Sequence, residues 1–274
     1  MNRQPLCELA DLAVAVPDGA KLVVPSDNCG VAMAATRELV RRGVRGLHLV
    51  CVPTSGLQAE ILIGAGAIAT IETSALTLGE FGPAQRFIDA LRKRSIRILD
   101  STCPAIHAAL QAGQKGLPFI PLRGLIGSDL LASRPDWKVI DNPFQAGDPI
   151  AVLPAINPDI ALFHAPLADS AGNVYIGRRR ELLTMAHASK QTFVTVEVIS
   201  ERNLFDDPKL APGLVPAIYV SRIALAKQGA WPIGLPEHYG ADDAAIGRYV
   251  QSAKTEEGFR RFLNEWLGKP AVTA

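Results

Sequence analysis

Short apolar runs alternate with longer amphipathic segments through much of the chain. The runs KLVV, LHLVCV and IATI are typical of strands that are buried on both faces of a sheet. The segments between them, such as GVAMAATRELVRRG, carry apolar residues at helical spacing and several of them end at glycine. This alternation predicts an α/β fold: an open, largely parallel sheet with helices on both faces.

The pattern continues to a last amphipathic segment that begins with Thr-Glu and ends at glycine. The predicted strands are 20–26, 47–53, 67–73, 96–102, two within 150–169, and 192–200. The predicted helices are 6–16, 30–43, 57–66, 82–95, 105–116, 181–190 and 255–268.

The chain of 274 residues is long enough for one large domain, and we expect a single domain over 1–274. Residues 116–147 differ from the rest, because they are rich in Pro and Gly and show little periodicity. They also carry many apolar side chains, so we expect an irregular but ordered segment packed over the sheet edge rather than a linker.

Composition narrows the function classes. The net charge is +1, from 28 Lys and Arg against 27 Asp and Glu, which argues against nucleic acid as a partner. The four cysteines form no CxxC pair and no zinc-type spacing, so we expect reduced thiols in a cytoplasmic protein without a metal. Glu8 and Asp11 interrupt the N-terminal apolar stretch, and no run is long enough to span a membrane, so neither a signal peptide nor a membrane partner is expected.

The first predicted strand ends in the turn SDNCG, residues 26–30, which opens a helix. Ligands of open α/β sheets bind beyond the carboxyl ends of the strands, and the first turn of a helix offers unpaired N–H groups to an anion. Two interpretations of Asp27 and Asn28 are open, since both residue types cap helices and both can contact substrate. The Cys29 thiol has no histidine near it in sequence, so we expect an ordinary small residue rather than a nucleophile.

Several stretches together carry a family resemblance. The combination of VIDNPF with PDIALFHAPLADSAGNVYI, within residues 139–176, resembles the α subunits of family I CoA-transferases, especially the glutaconate CoA-transferase type. GLPFIPLRGLIGSDL precedes it, and TFVTVEVIS and LVPAIYVSRIALAKQGAWP follow it in the family's order. The likeness extends from about Leu6 to Leu267.

The resemblance implies the fold and a division of labour. The family shares the NagB/RpiA/CoA-transferase-like fold, and its enzymes are α/β heteromers, heterodimers or heterotetramers, that use coenzyme A as a substrate and hold no cofactor. The acyl-CoA carbonyl is attacked by a glutamate that the β chain carries. CoA thiolate then attacks the resulting anhydride, and the glutamyl thioester passes CoA to an acceptor carboxylate. The α chain is inactive alone and supplies oxyanion N–H groups, here those of Asn28, Cys29 and Gly30, with Ser26 and Asp27 near the substrate.

Two other functions stay open, the first of them because of one departure from the family. The family turn usually holds a Gly-Gly pair, whereas this chain has only Gly30. An acyl-CoA hydrolase subunit of the ring-cleaving type, which works without the covalent glutamate, is the first alternative. A non-enzymatic small-ligand-binding module is the second.

The loop after the third predicted strand supplies further candidates. Glu72 ends that strand, and it is a possible nucleophile, a residue that lines the cleft, or an ordinary loop carboxylate. Ser74 and Glu80 follow in the same loop and are candidate substrate-binding residues.

A second candidate group lies in the sequence LRGLIGSDL. Arg123 beside a glycine-rich turn suits a substrate carboxylate or a CoA phosphate, with Gly127 and Ser128 close by. The alternative is a salt bridge from Arg123 to Asp129 or to another acid.

Four polar features of the second half are expected to be mainly structural. His164 follows an apolar strand and is expected to be either a hydrogen-bonded structural residue or a base. The cluster around Asp169 predicts a hairpin turn. Glu197 interrupts an apolar strand and needs a partner if it is buried. The Arg178–Arg180 run is a solvated surface or a contact to CoA phosphates.

Overall fold

The computed structural model describes residues 5–268, which form twelve strands and nine helices. The strands are β1 Lys21–Pro25, β2 Leu47–Val52, β3 Ile68–Thr73, β4 Arg97–Asp100, β5 Phe119–Leu122, β6 Lys138–Asp141, β7 Pro149–Pro154, β8 Ile160–Asp169, β9 Val174–Tyr175, β10 Gln191–Ser200, β11 Leu214–Val215 and β12 Arg222–Leu225. The helices are α1 Leu9–Val14, α2 Met33–Arg41, α3 Leu57–Gly64, α4 Gln85–Lys93, α5 Cys103–Gln114, α6 Leu130–Ser133, α7 Arg180–Ala188, α8 Asp243–Ser252 and α9 Glu256–Gly268.

Seven parallel strands form the centre of the molecule in the order β12-β10-β8-β1-β2-β3-β4. The chain proceeds from β1 towards β4 in one direction, and β8, β10 and β12 then extend the sheet in the other. The short strand β9 pairs antiparallel with the C-terminal half of β8, and β11 pairs antiparallel with β9. The open, largely parallel α/β sheet predicted from the sequence is therefore confirmed.

Apolar side chains cover both faces of this sheet, as the continuous apolar runs require. On β1, Leu22 and Val24 pack towards α1, α2 and α3, while Val23 packs towards α5 and α7. Alternate residues of a strand point to opposite faces, so one fully buried strand contributes to two cores at once. No helix among residues 5–268 combines the length and hydropathy that a membrane span needs.

The segment 116–147 contains more regular structure than expected. It holds β5, α6 and β6, and these two strands flank β7 in a separate antiparallel sheet of order β5-β7-β6. This sheet packs over α5 through a small core that includes Leu125, Trp137 and Leu153. The strands β5 and β6 have only four residues each, and β6 is exposed throughout, so no burial period is visible in the sequence. The segment expected to be irregular therefore contains two strands and a short helix.

The topology defines where a ligand can bind. β1 is the strand from which the sheet grows in both directions, and the crevice beyond the carboxyl end of such a strand is the usual ligand site of open α/β sheets. β8 pairs with β1 near Ile160 and with β9 near Leu167. The turn 26–30 lies between these two pairings.

Candidate functional site

The turn that follows β1 is fixed by one glycine. Asp27–Cys29 form a single 3₁₀ turn, in which Cys29 N–H donates to Ser26 O at 2.9 Å. Gly30 then adopts φ +88°, and its carbonyl accepts a hydrogen bond of 2.7 Å from the N–H of His164 on β8. A Cβ on Gly30 would lie 2.2 Å from the His164 carbonyl oxygen, so both the dihedral and the space demand glycine here.

The Asp27 carboxylate points away from the open side of the turn. Its Oδ2 accepts a hydrogen bond of 3.2 Å from Leu57 N–H at the start of α3, close to Gly56. One interpretation predicted that Asp27 caps the helix that the turn opens, but its carboxylate instead accepts from the first N–H of α3. Burial raises the pKa of Asp27 to about 6, against main-chain hydrogen bonds from Leu57 and Gly56 that lower it. Its Oδ1 is buried and unpaired within residues 5–268.

Asp27→Asn should stabilise the protein at alkaline pH. The ordinary Asp pKa of 3.8 rises to about 6 on folding, so the folded state binds a proton more tightly, and stability falls as the pH rises through this window. Asn cannot ionise, can still accept the Leu57 hydrogen bond, and avoids the cost of about 1–3 kcal/mol above pH 6. Urea unfolding of both proteins at pH 4 and pH 8 measures the difference. A gain of equal size at both values would contradict the assignment.

Asn28 and Cys29 differ in their exposure to solvent. Asn28 is exposed, and its N–H has no hydrogen-bond acceptor within residues 5–268. The Cys29 thiol is half-buried, and burial together with Glu181 raises its pKa to about 11. A thiol with that pKa is protonated at neutral pH, which agrees with the expectation that Cys29 is not a nucleophile.

The loops after β2 and β3 are joined beside this turn. Ser55 N–H donates to Ala75 O at 3.2 Å, and Thr77 N–H donates to Ser55 O at 3.1 Å. Ser74 Oγ donates to Pro53 O at 2.8 Å and lies 3.2 Å from the Cys103 thiol at the start of α5. Ser74 thus stands at the carboxyl rim of the sheet, where the sequence placed it, and Glu80 is exposed in the same loop.

Glu72 lies on the buried side of the rim. Arg134 Nη2 donates to Glu72 Oε1 at 2.8 Å, and His48 Nε2 lies 3.8 Å from the other oxygen. Burial would raise the pKa of Glu72, but His48 and the Arg134 guanidinium lower it below its ordinary value. The carboxylate faces a cavity of about 90 Å³ roofed by Arg134 and Trp137 of the small sheet. This geometry makes Glu72 half of an internal ion pair.

Arg123, Gly127 and Ser128 occupy the small sheet and its loop. Arg123 forms an ion pair with Asp148 instead of Asp129, and most of its side chain is exposed. Gly127 adopts φ +82°, and Ser128 Oγ donates to Leu125 O at 2.8 Å. These hydrogen bonds are local to the loop and the adjoining hairpin, so they do not join the three residues directly to the turn after β1.

A comparison with known families identifies the chain at this point. The model of the coenzyme A transferase family matches residues 7–225. This chain belongs to the coenzyme A transferase family. The resemblance found in the sequence and the fold that it implied are both confirmed.

Two relatives of this coenzyme A transferase family chain are A subunits of CoA-transferases. The first is the A subunit of the 3-oxoadipate CoA-transferase of Pseudomonas knackmussii, which is 29% identical over 92% of this chain and 89% of that one. The second is the A subunit of the glutaconate CoA-transferase of Acidaminococcus fermentans, which is 30% identical over 85% and 78%. The crystal structure of the latter enzyme matches with a TM-score of 0.89 and 26% identity, over 96% and 88% of the two chains.

The coenzyme A transferase fold also carries another reaction. The structure of the decarboxylase AibA/AibB matches this chain with a TM-score of 0.86 and 31% identity, over 96% and 98% of the two chains. The chain spans only about half, 53%, of an uncharacterized protein of Archaeoglobus fulgidus to which it is 28% identical. Proteins with this fold therefore catalyse different reactions, so family membership establishes the fold of this chain but not its reaction.

A polar network that joins β8 and β10 of this family member is only partly predictable from the sequence. His164 on β8 and Glu197 on β10 are hydrogen-bonded to each other at 2.8 Å, and Tyr239 also donates to Glu197. Glu197 is partly buried, and its carboxylate has both of these partners. The sequence signal is two polar residues inside apolar strands, whereas the contribution of Tyr239 has no signal of this kind.

Two other expectations have structural counterparts in this coenzyme A transferase family chain. Asp169 accepts hydrogen bonds from Asn173 across the β8–β9 hairpin, as expected of a turn. In the arginine run, Arg178 and Arg180 are exposed, while Arg179 donates to the Pro236 carbonyl. Within residues 5–268, no group of three His, Cys, Asp or Glu side chains could hold a metal ion.

Proposed function

We propose that this chain is the α subunit of a two-component CoA-transferase that moves CoA between an acyl-CoA and a carboxylic acid. The turn after β1 supplies the oxyanion site, and a homologous β subunit supplies the nucleophilic glutamate. The names of two relatives with high coverage support this assignment, because both are A subunits of CoA-transferases, one for 3-oxoadipate and one for glutaconate.

The exposed turn at the switch point of the sheet is the observation that carries the proposal. Attack on a thioester moves negative charge onto the carbonyl oxygen, and a prearranged N–H donor stabilises that charge. Asn28 is exposed and its N–H has no acceptor within residues 5–268, and α2 begins a few residues later, so the positive end of its dipole lies near the turn. The Asp27 carboxylate, which would oppose an oxyanion, is turned towards α3.

Neither Glu72 nor Asp27 is free to act as the nucleophile. A nucleophilic glutamate must reach the acyl carbon and give up its other contacts. Glu72 is held by the Arg134 guanidinium beneath the small sheet, and Asp27 is held by the start of α3. The cavity of about 90 Å³ in front of Glu72 is too small for an acyl-CoA. We therefore assign the covalent step to the partner chain.

The purified chain alone should not exchange CoA, whereas the complex with its β subunit should. The test is co-expression with a homologous CoA-transferase β subunit, followed by incubation with acyl-CoA and a radiolabelled carboxylic acid. Label that enters the CoA thioester pool only when both chains are present supports the proposal. Exchange by the single chain would contradict it.

The same assay separates the two alternative functions. Release of free acid and CoA without exchange of label indicates an acyl-CoA hydrolase. The Ser26–Gly30 turn, in which a single glycine replaces the usual pair, is the observation that keeps this outcome open. Binding of a small acid by a chain that neither exchanges nor hydrolyses would indicate a ligand-binding module.

A further inference from the structure

We propose that Glu197 and His164 act as positioning residues that fix the turn after β1 and the start of α2. This inference rests on the proposed function, because it concerns the main-chain donors of the same turn. The two side chains lie behind the turn, on the neighbouring strands β8 and β10. They would act through the backbone of Gly30 and Ala34.

The His164 ring is held at both nitrogens and packed against backbone. It is completely buried, with Nδ1 2.8 Å from Thr195 Oγ1 and Nε2 2.8 Å from Glu197 Oε1. Gly229 packs against the ring, since a Cβ there would lie 2.5 Å from His164 Cε1. The ring therefore has one orientation, and this fixes the strand segment on which it stands.

The protonation of the pair follows from its contacts. A carboxylate only accepts hydrogen bonds, so Nε2 carries a proton and donates it to Glu197. Burial lowers the pKa of His164, so the ring is neutral at neutral pH and its Nδ1 accepts from the Thr195 hydroxyl. Burial opposes the ionisation of Glu197, but hydrogen bonds from His164 and Tyr239 lower its pKa to about 2. Glu197 is therefore ionised at neutral pH.

Glu197 also anchors the loop that follows β12 through hydrogen bonds. Its two oxygens accept the N–H groups of Gln228 at 2.7 Å and Gly229 at 3.2 Å, and the Tyr239 hydroxyl at 2.7 Å. An anion held by several donors has a well-defined place even though part of its surface is accessible. One carboxylate therefore sets both the His164 ring and the Gly229 backbone.

The segment from Gly30 to Ala34 is attached to this pair of anchors at both ends. His164 N–H donates to Gly30 O at 2.7 Å, and Ala34 N–H, in the first turn of α2, donates to Gly229 O at 2.9 Å. The direction of the free Asn28 N–H depends on where this segment begins. Because an error of about 1 Å in a catalytic donor costs on the order of 100-fold in rate, the anchors matter for catalysis although they touch no substrate.

Two variants disturb the anchors from different sides. In Glu197→Gln an amide NH₂ must face at least one N–H or O–H donor, whereas in Gly229→Ala the new Cβ overlaps Cε1 and Nδ1 of the His164 ring. With the complete two-subunit complex, we expect both variants to lower kcat by about 10- to 100-fold with a KM for acyl-CoA within twofold of the parent value.

Asp169→Asn is the matched control for a structural effect. Asp169 is a buried carboxylate on the same strand as His164 and also accepts main-chain hydrogen bonds, from Asn173 and Leu204, but within residues 5–268 it has no hydrogen bond to the turn. We expect it to lower stability and leave kcat unchanged in the folded complex. Glu197→Gln with parental kcat, or kcat losses that follow stability in all three variants, would overturn the proposal.

Amide hydrogen exchange gives a readout that does not need activity. Peptides covering residues 22–40 should exchange faster in Glu197→Gln and Gly229→Ala, and at the parent rate in Asp169→Asn. If the parent complex neither exchanges nor hydrolyses acyl-CoA, the proposed function fails, but the hydrogen-exchange pattern still tests the anchoring. Unchanged hydrogen exchange in both anchor variants would overturn the anchoring itself.

Discussion

Gly30→Ala should reduce CoA exchange by the two-subunit complex at least 100-fold. The new Cβ would lie 2.2 Å from the His164 carbonyl oxygen, so the turn must move away from β8 and carry the Asn28 N–H with it. Loss of one oxyanion donor costs about 100- to 1,000-fold in other acyl-transfer enzymes. The positive φ of +88° adds strain, and together with the overlap it should lower the free energy of unfolding by about 2–5 kcal/mol.

Gly43→Ala is the matched control, because it separates the dihedral from the overlap. Gly43 follows α2 with φ +75°, and a Cβ there would meet nothing within 4 Å. This variant should lose about 1–2 kcal/mol of stability from the left-handed backbone and keep its rate. The measurement is the steady-state rate of CoA exchange by the two variant complexes, at a temperature where both are folded. A Gly30→Ala complex with the parental rate would remove the turn from the proposed mechanism.

The central sheet is predictable from the sequence because its determinants are local. β1, β2 and β3 are continuously buried over most of their length, so each appears in the sequence as an apolar run with a turn at its end. The helices between them appear through their apolar spacing. β5 and β6 lack such a signal, since each has four residues of mixed or full exposure, and their pairing with β7 alone makes them strands.

The position of the site is predictable, but the contacts within it are not. The carboxyl ends of the predicted strands are enough to indicate residues 26–30. Asp27, in contrast, caps a helix that begins 30 residues later, and Gly30 is fixed by a strand that is adjacent only through the order of the sheet. From the sequence alone, Asp27 could only be assigned a cap of its own helix or a contact to substrate, because these distant partners are not visible there. The roles of Ser74, Glu80 and Arg123 in substrate binding stay predictions.

The ion pair between Glu72 and Arg134 joins positions 62 residues apart and shows how much a distant partner changes a residue's meaning. In the sequence, Glu72 is a carboxylate at the end of a strand. In the structure both side chains are almost completely buried, and Arg134 also bonds Asp136 and the Asp100 carbonyl and stacks on Trp137 at 4.2 Å. The pair thereby fastens the small sheet to β3 and β4.

Arg134→Met should lower the free energy of unfolding by about 3–5 kcal/mol, because it leaves the Glu72 carboxylate buried without its cation. The double variant Glu72→Gln with Arg134→Met should recover most of this loss, since no uncompensated charge then remains. Arg123→Met breaks the exposed ion pair with Asp148 and should cost about 0–1 kcal/mol. Urea unfolding of the full chain, followed by tryptophan fluorescence, compares the three variants. Equal losses for Arg134→Met and Arg123→Met would show that burial of the Glu72 pair has no energetic consequence, and the small sheet would then be held by its apolar core alone.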